Sequence, residues 1–355
     1  MRRKLRIAQV APLWYPVPPP AYGGTELIVS RLTEELVRRG HEVTLYASGD
    51  SRTRARKVAV TKKCLTARGV PWTAPGFNLL NLEKAFSEAG RYDLIHTHVD
   101  PFDGFFRSLV DVPSVATLHN HFWAFDEKNE ARFADREATY AEFRRQPLVA
   151  ISDAYRRSCP LKLNFAATIW HGVDIGHFRF NAEPDDHFIW LGRVARIKGL
   201  HHAVAACRRA GAKLVIAGPF ITPENREYFD TEIRPFVDGR RIRYVGELDA
   251  VRKARLLLSA KAMLYPIEWN EPFGITMVEA MACGTPVIAF DRGAAAEVVA
   301  HGRTGFVVRN VGQMVAAMRR IGEIDRRACR ERVERNFTVE HMTDKYEEVY
   351  ASLVK

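Results

Sequence analysis

Glu271-Pro272-Phe273-Gly274-Ile275-Thr276-Met277-Val278-Glu279-Ala280-Met281-Ala282 decides how the rest of the chain is read. An apolar run over 262–267 leads into it as a strand. The turn follows, and then a helix predicted from Gly274 to Gly284. The start of such a helix presents backbone N–H groups without intrahelical partners and the positive end of a dipole. Phosphate can rest there without a metal, and Gly274 allows close approach to the backbone. Glu271 stands before the helix and Glu279 in its second turn. Carboxylates on both sides of an anion site suit a ligand with phosphate in its middle and hydroxyls at both ends, which describes a nucleotide sugar. Taken alone, the same residues also suit an ordinary strand–helix unit with solvated glutamates.

Working outward, the alternation of strand and helix continues through all 355 residues. In the first half, strands are predicted over 5–11, 42–47, 93–98, 114–119, 148–151 and 167–169, with amphipathic stretches such as 26–39 between them. That stretch stops at Gly40, as helices often do. The polar run Asn181-Ala182-Glu183-Pro184-Asp185-Asp186 reads as a linker. Alternation then restarts with strands over 188–191, 213–217, 242–245, 262–267, 287–290 and 305–308. Short buried strands alternating with helices imply parallel sheets covered on both faces. The expected fold is therefore α/β, with two doubly wound Rossmann-like domains facing across a cleft. Their expected spans are 1–180 on the acceptor side and 181–335 on the donor side, with a terminal helix, 336–355, crossing back to the first. Ligands in such sheets collect at the carboxyl ends of the strands.

Composition is that of an ordinary globular protein. No apolar run approaches the roughly 18 residues of a membrane span. The basic Met1-Arg2-Arg3-Lys4 precedes a short apolar stretch broken by Gln9 and ended by Pro12, so it reads as a first strand rather than a secretion signal. Five scattered cysteines without a Cys-x2-Cys pair fit reduced thiols and a cytoplasmic protein. The net charge of +11 fits solvated surface; it also suits phosphorylated substrates, nucleic acid or peripheral contact with an anionic inner membrane face. Neither half carries Gly-x-Gly-x-x-Gly after its opening strand or Gly-x4-Gly-Lys-Ser/Thr, which disfavours dehydrogenases and P-loop nucleotidases.

Several constellations gather at strand ends. The first strand runs into Trp14-Tyr15-Pro16-Val17-Pro18-Pro19-Pro20-Ala21-Tyr22-Gly23-Gly24-Thr25-Glu26, where Gly23 and Gly24 admit a phosphate or sugar, or merely cap a helix. His119 closes a strand and suits hydrogen bonding to a sugar hydroxyl or acid–base work. His96, His98, His119 and His121 also admit a zinc reading, against the simpler one of polar strand ends. Gly192-Arg193 and Lys198-Gly199 place a guanidinium and an ammonium at a strand–helix turn, suited to grip a diphosphate and to stabilise it as it leaves. No Asp-x-Asp occurs, so the usual carboxylate pair for a metal-bound diphosphate is missing. No metal site and no cofactor are expected; the nucleotide sugar is a substrate.

In this order and spacing, Gly23-Gly24-Thr25-Glu26, His119, His171-Gly172-Val173-Asp174, Gly192-Arg193 with Lys198-Gly199, and the run from Glu271 through Glu279 to Ala289 resemble the retaining glycosyltransferases of family 4, which have the GT-B fold. The resemblance spans nearly the whole chain. It implies that Arg193 and Lys198 bind the donor diphosphate and that Glu279 holds the ribose hydroxyls. Glu271, with the backbone of Phe273, Gly274, Ile275 and Thr276, would contact donor sugar and phosphate. Gly24, beside Gly23, would lie against the donor phosphates, and His119 near the transferred sugar. The base would sit by Gly218 and the Gly246-Glu247-Leu248 loop. The family often has Asn where His171 stands, and the proline-rich insert before Gly23 is unusual. The implied chemistry is retaining, metal-independent transfer of a hexose from a UDP-sugar, UDP-glucose first and GDP-mannose second, to a saccharide, natural-product or lipid-linked acceptor, with no nucleic-acid partner. Two other classes remain open at this stage: a sugar-nucleotide epimerase on the same architecture, and a non-catalytic binding protein for an acidic partner.

Overall fold

A computed structural model describes residues 3–72, 74–120 and 130–354, the side chains of 130–134 excepted. The chain forms two compact units. One is Met1–Gly172 with Val339–Lys355, and the other is Val173–Thr338.

The first unit is built on seven parallel strands: β1 (Arg6–Val10), β2 (Glu42–Tyr46), β3 (Arg56–Val58), β4 (Leu94–Thr97), β5 (Ser114–Leu118), β6 (Leu148–Ala150) and β7 (Phe165–Thr168). Their order is β3-β2-β1-β4-β5-β6-β7. The sequence reading missed β3. Its Arg-Lys-Val is mostly exposed at the sheet edge, so it lacks the apolar signature of a buried strand. Ala8, Val10, Tyr46 and Ile95 pack against Leu82, Ala85 and Phe86 of the helix Gly76–Ser87 to form a dry core.

The second unit has six parallel strands: β8 (Phe188–Leu191), β9 (Leu214–Ala217), β10 (Ile242–Tyr244), β11 (Ala262–Tyr265), β12 (Val287–Phe290) and β13 (Gly305–Val308), ordered β10-β9-β8-β11-β12-β13. Every residue of β8, β9, β11 and β12 is buried. Strands covered on both faces are apolar throughout, which is why these short runs stood out in the sequence.

The polar stretch 181–186 is not where the units divide. Asn181 N–H donates to the Cys283 carbonyl (3.1 Å) and Asp185 N–H to that of Ser259 (2.8 Å), while Arg326 Nε donates to the Asn181 carbonyl (2.7 Å). These bonds fasten the stretch inside the second unit. The division falls instead at Gly172/Val173. The helical C-terminal region is two helices, Arg326–Asn336 in the second unit and Val339–Leu353 in the first, interrupted around the buried Phe337. The last helix is fastened to the helix Gly24–Arg38 region by Arg39, whose Nη1 pairs with Asp344 (2.6 Å) and Glu347 (2.7 Å). No helix among the described residues is long and apolar enough to cross a membrane. All five cysteines are free, and burial pushes the thiols of Cys207, Cys283 and Cys329 up to about 12.

Candidate active site

In the second sheet, β8 and β11 are neighbours, but the chain leaves them toward opposite edges. Loops leaving such a switch point part and open a crevice at the carboxyl ends of the strands. The loop after β8 carries Arg193 and Lys198. The loop after β11 carries Glu271 and leads into the helix Ile275–Ala282. The topology thus brings these four sequence-predicted features to one place.

Close backbone packing fixes the two loops. Gly199 has φ +68°, and a Cβ there would lie 1.8 Å from the Pro266 carbonyl oxygen, so no side chain is admitted. Glu268 N–H donates to the Ile197 carbonyl (2.9 Å), and the buried Trp190 indole donates to that of Lys198 (3.2 Å). Lys198 Nζ then reaches Glu271 Oε2 at 2.6 Å. The same oxygen accepts from Trp269 Nε1 (3.0 Å), and the ammonium stands 4.7 Å from the Trp269 ring centroid. Arg193 is half-buried, its backbone pinned on each side by Gly192 N–H to Ala217 O (3.2 Å) and Val194 N–H to Pro219 O (3.0 Å).

Gly274 is the N-cap of the helix Ile275–Ala282 at φ 83°, and no side chain caps that helix. Phe273 is buried, edge-on to Phe337 at 6.0 Å. Its ring therefore anchors the turn while its backbone faces the helix start. Ile275 and Thr276 are half-buried in the first turn. Glu279 has no exposed surface, and its carboxylate meets Lys253 Nζ at 2.7 Å and 2.9 Å. Lys253 comes from the helix Ala250–Ser259, next along the chain from the half-buried Leu248. The loops after β8, β9 and β10 are pressed together. Gly218 N–H donates to Gly246 O (2.9 Å), Tyr244 OH donates to Gly218 O (2.8 Å), and a Cβ on Gly218 would sit 1.7 Å from Gly192 O.

In the first unit, Gly23 is the N-cap and Gly24 the first residue of the helix Gly24–Arg38, with open space where a Gly24 Cβ would stand. Glu26 is buried and accepts from Tyr15 N–H (3.3 Å); burial pushes its carboxyl up to about 7. Trp14 and Trp72 lie 4.5 Å apart between ring centroids, Tyr15 and Tyr22 5.8 Å, and Trp72 and Tyr22 are exposed.

His119, just past β5, ends a chain of buried polar groups. Gln9 Oε1 accepts from His98 Nε2 (2.9 Å), which leaves His98 Nδ1 as an acceptor in a neutral ring. His119 Nε2, 2.8 Å away, must then donate, and His119 Nδ1 keeps its lone pair. That nitrogen is buried and has no hydrogen-bond partner among the described residues. Burial lowers the His119 pKa to about 4 and drives those of His96, His98 and His171 well below their ordinary value, so all four rings are neutral at pH 7. His171 stacks on His119 at 5.2 Å. The nitrogens of His96 face Thr117 (2.8 Å) and Tyr350 (2.7 Å) hydroxyls. Histidines 96, 98 and 119 thus form a hydrogen-bonded chain rather than a convergent ligand set; His121 lies outside the described residues. Sequence reasoning missed Lys253, Trp269 and the Gln9–His98 pair. Trp269 had a signal, two residues before Glu271. Lys253 had none, because its partner is 26 residues away.

Comparisons with known proteins bear on the family and the fold. The family model described as "Glycosyl transferases group 1" matches residues 177–336, and that described as "Glycosyltransferase Family 4" matches residues 22–176. A relative, alpha-maltose-1-phosphate synthase of Mycolicibacterium smegmatis, is 28% identical over 339 residues, covering 84% of either chain. Among solved structures, sucrose-phosphate synthase from Thermosynechococcus elongatus superimposes with a TM-score of 0.82 at 23% identity over 99% of both chains. The Anabaena protein HepE in complex with UDP-glucose gives 0.74 at 18% identity, over 98% of this chain and 100% of that one. The two family models make the chain a glycosyltransferase, and its two doubly wound parallel units are the arrangement of the GT-B class. Within that class, the chain belongs to glycosyltransferase family 4.

Proposed function

We propose that this enzyme transfers a hexose from a nucleotide-diphosphate sugar, UDP-glucose first and GDP-mannose second, to a hydroxyl acceptor, with retention and without a divalent metal. One observation carries the reading. At the β8/β11 switch point an ammonium is poised on a carboxylate, with Lys198 Nζ 2.6 Å from Glu271, beside the uncapped helix start at Gly274. A diphosphate entering there would find Lys198, Arg193 and the N–H groups of Ile275 and Thr276. Glu271, relieved of its lysine, would accept hydrogen bonds from the donor sugar. Glu279 would accept the ribose hydroxyls, and the base would lie by Gly218 and Leu248. Gly23 and Gly24 would admit the donor phosphates, and His119 Nδ1 would accept a hydroxyl of the sugar.

In the transfer, the anomeric carbon loses its bond to the phosphate oxygen and gains one to the acceptor oxygen on the same face. The acceptor proton passes to the departing phosphate. The products are a glycoside and a nucleoside diphosphate. Charge growing on that phosphate is what Arg193 and Lys198 stabilise, which supports transfer without magnesium. HepE, of the same fold, has been solved with UDP-glucose, which supports the donor choice. The aromatic group Trp14, Tyr15, Tyr22 and Trp72 supports a saccharide acceptor, since flat apolar rings with polar edges suit the faces of sugars.

Incubation with UDP-, GDP- and ADP-sugars, following nucleotide release with and without chelator, tests the reading. The anomeric configuration of the product, read by NMR, tests retention. An epimerised nucleotide sugar formed without acceptor would overturn it.

A further inference from the structure

A few residues along the chain from Lys198 and Glu271 lies a second cluster that the proposed transfer does not use. His201 and His202 open the helix Leu200–Ala210, and Glu268 stands in the loop after β11. One ligand atom from each of the three lies within 4.8 Å of the others. Glu268 Oε1 is 3.0 Å from His202 Nε2 and 3.6 Å from His201 Nε2. Bonds of roughly 2.0–2.1 Å at tetrahedral angles separate ligand atoms by about 3.3 Å, and these two distances straddle that edge.

His201 is held on its far side by Tyr228. Its Nδ1 lies 2.8 Å from Tyr228 OH, and that oxygen also accepts the His201 backbone N–H at 3.0 Å. In the tautomer with its proton on Nδ1, that nitrogen donates to the phenol oxygen and the lone pair of His201 is on Nε2, the atom facing Glu268. Ligating histidines are typically oriented in this way by a hydrogen bond from the far ring nitrogen. The neighbouring guanidinium of Arg196 is engaged by Glu232, so it does not occupy Glu268.

We propose that His201, His202 and Glu268 form a site for a zinc-class divalent ion, oriented by Tyr228 and leaving one coordination position for water or an anionic oxygen. Two imidazoles and one carboxylate are a donor set for zinc rather than for magnesium or calcium. The ion would tie the first turn of the helix Leu200–Ala210 to the loop after β11, beside the backbone bond from Glu268 N–H to Ile197 O. It would thus clamp the two loops that carry Lys198 and Glu271, without touching the transferred sugar.

Binding, not turnover, tests this site. Chelator-stripped full-length protein is titrated with CoCl2 and then ZnCl2, following the visible bands of tetrahedral Co2+ and the bound stoichiometry by equilibrium dialysis. One ion per chain is expected, with Co2+ bands that Zn2+ bleaches. His202→Ala and Glu268→Gln should abolish the bands, and Tyr228→Phe should weaken affinity about tenfold or more. His177→Ala, at a separate exposed histidine, should change nothing. Absence of stoichiometric binding at micromolar Zn2+ would overturn the proposal. So would binding left unchanged in Glu268→Gln and Tyr228→Phe, both of which alter few protein atoms and keep the variants folded.

Discussion

Lys253 Nζ stands 2.7 Å from a carboxylate oxygen of Glu279, a side chain with no exposed surface. A buried carboxylate stripped of its counter-charge is costly, and breaking such pairs from one side typically destabilises by about 3–5 kcal/mol. Lys253→Met should therefore lower unfolding free energy by about 3 kcal/mol, measured by urea denaturation. Adding Glu279→Gln to that variant should restore part of the loss, because no charge then remains buried.

The ion pair of Lys198 with Glu271 makes a different prediction. Glu271 is buried, but it keeps the Trp269 indole N–H as a donor when the ammonium is removed, so the loss should be smaller than at Glu279, about 1–2 kcal/mol. Lys198→Ala should lower the urea midpoint only modestly. Turnover should fall about 100- to 1,000-fold, the usual loss when one group stabilising a growing negative charge is removed.

Glu26 predicts a stability change of unusual sign. Its folded pKa, about 7, lies above the ordinary 4.5. Between those values the folded state holds a proton that the unfolded state has released, so stability falls as pH rises through this window. The contribution is fully present below 4.5 and lost above 7, amounting to about 3 kcal/mol. Glu26→Gln should flatten the curve of stability against pH between 4.5 and 7. An unaltered curve would show that Glu26 titrates normally.

The buried histidines act in the opposite direction. His119 falls to about 4 from an ordinary 6.5, with His96, His98 and His171 also lowered by burial. The unfolded chain takes up protons that the folded one refuses. Their contribution is present above pH 6.5 and lost as pH falls toward 4. His98→Leu removes the partner that sets the His119 tautomer. Nitrogen-15 NMR should show His119 protonated on Nε2 in the wild type and mixed in the variant, with turnover reduced about tenfold or more.

Much of the fold was legible because parallel strands buried on both faces leave continuous apolar runs, as in Phe188–Leu191 and Val287–Phe290. The placement of Arg193, Lys198 and Glu271 in the loops after β8 and β11, and of Glu279 in the helix that follows, was legible because each comes directly after an apolar strand run. β3 was not, since its edge position requires no apolar pattern. The boundary at Gly172 was hidden because 181–186 looks like a linker yet is hydrogen-bonded into the second unit. Lys253 and the Gln9–His98 pair were hidden because their partners lie far away in sequence, and spacing carries no trace of such pairing.

In the proposed reaction the loops after β8 and β11 grip the departing diphosphate. Nucleotide release from UDP-glucose, in the presence of chelator, by wild type, Arg193→Ala and Lys198→Ala tests it most directly. Release by the wild type is expected, with a loss of about 100-fold or more in each variant and the fold intact. Equal release by all three proteins would contradict it.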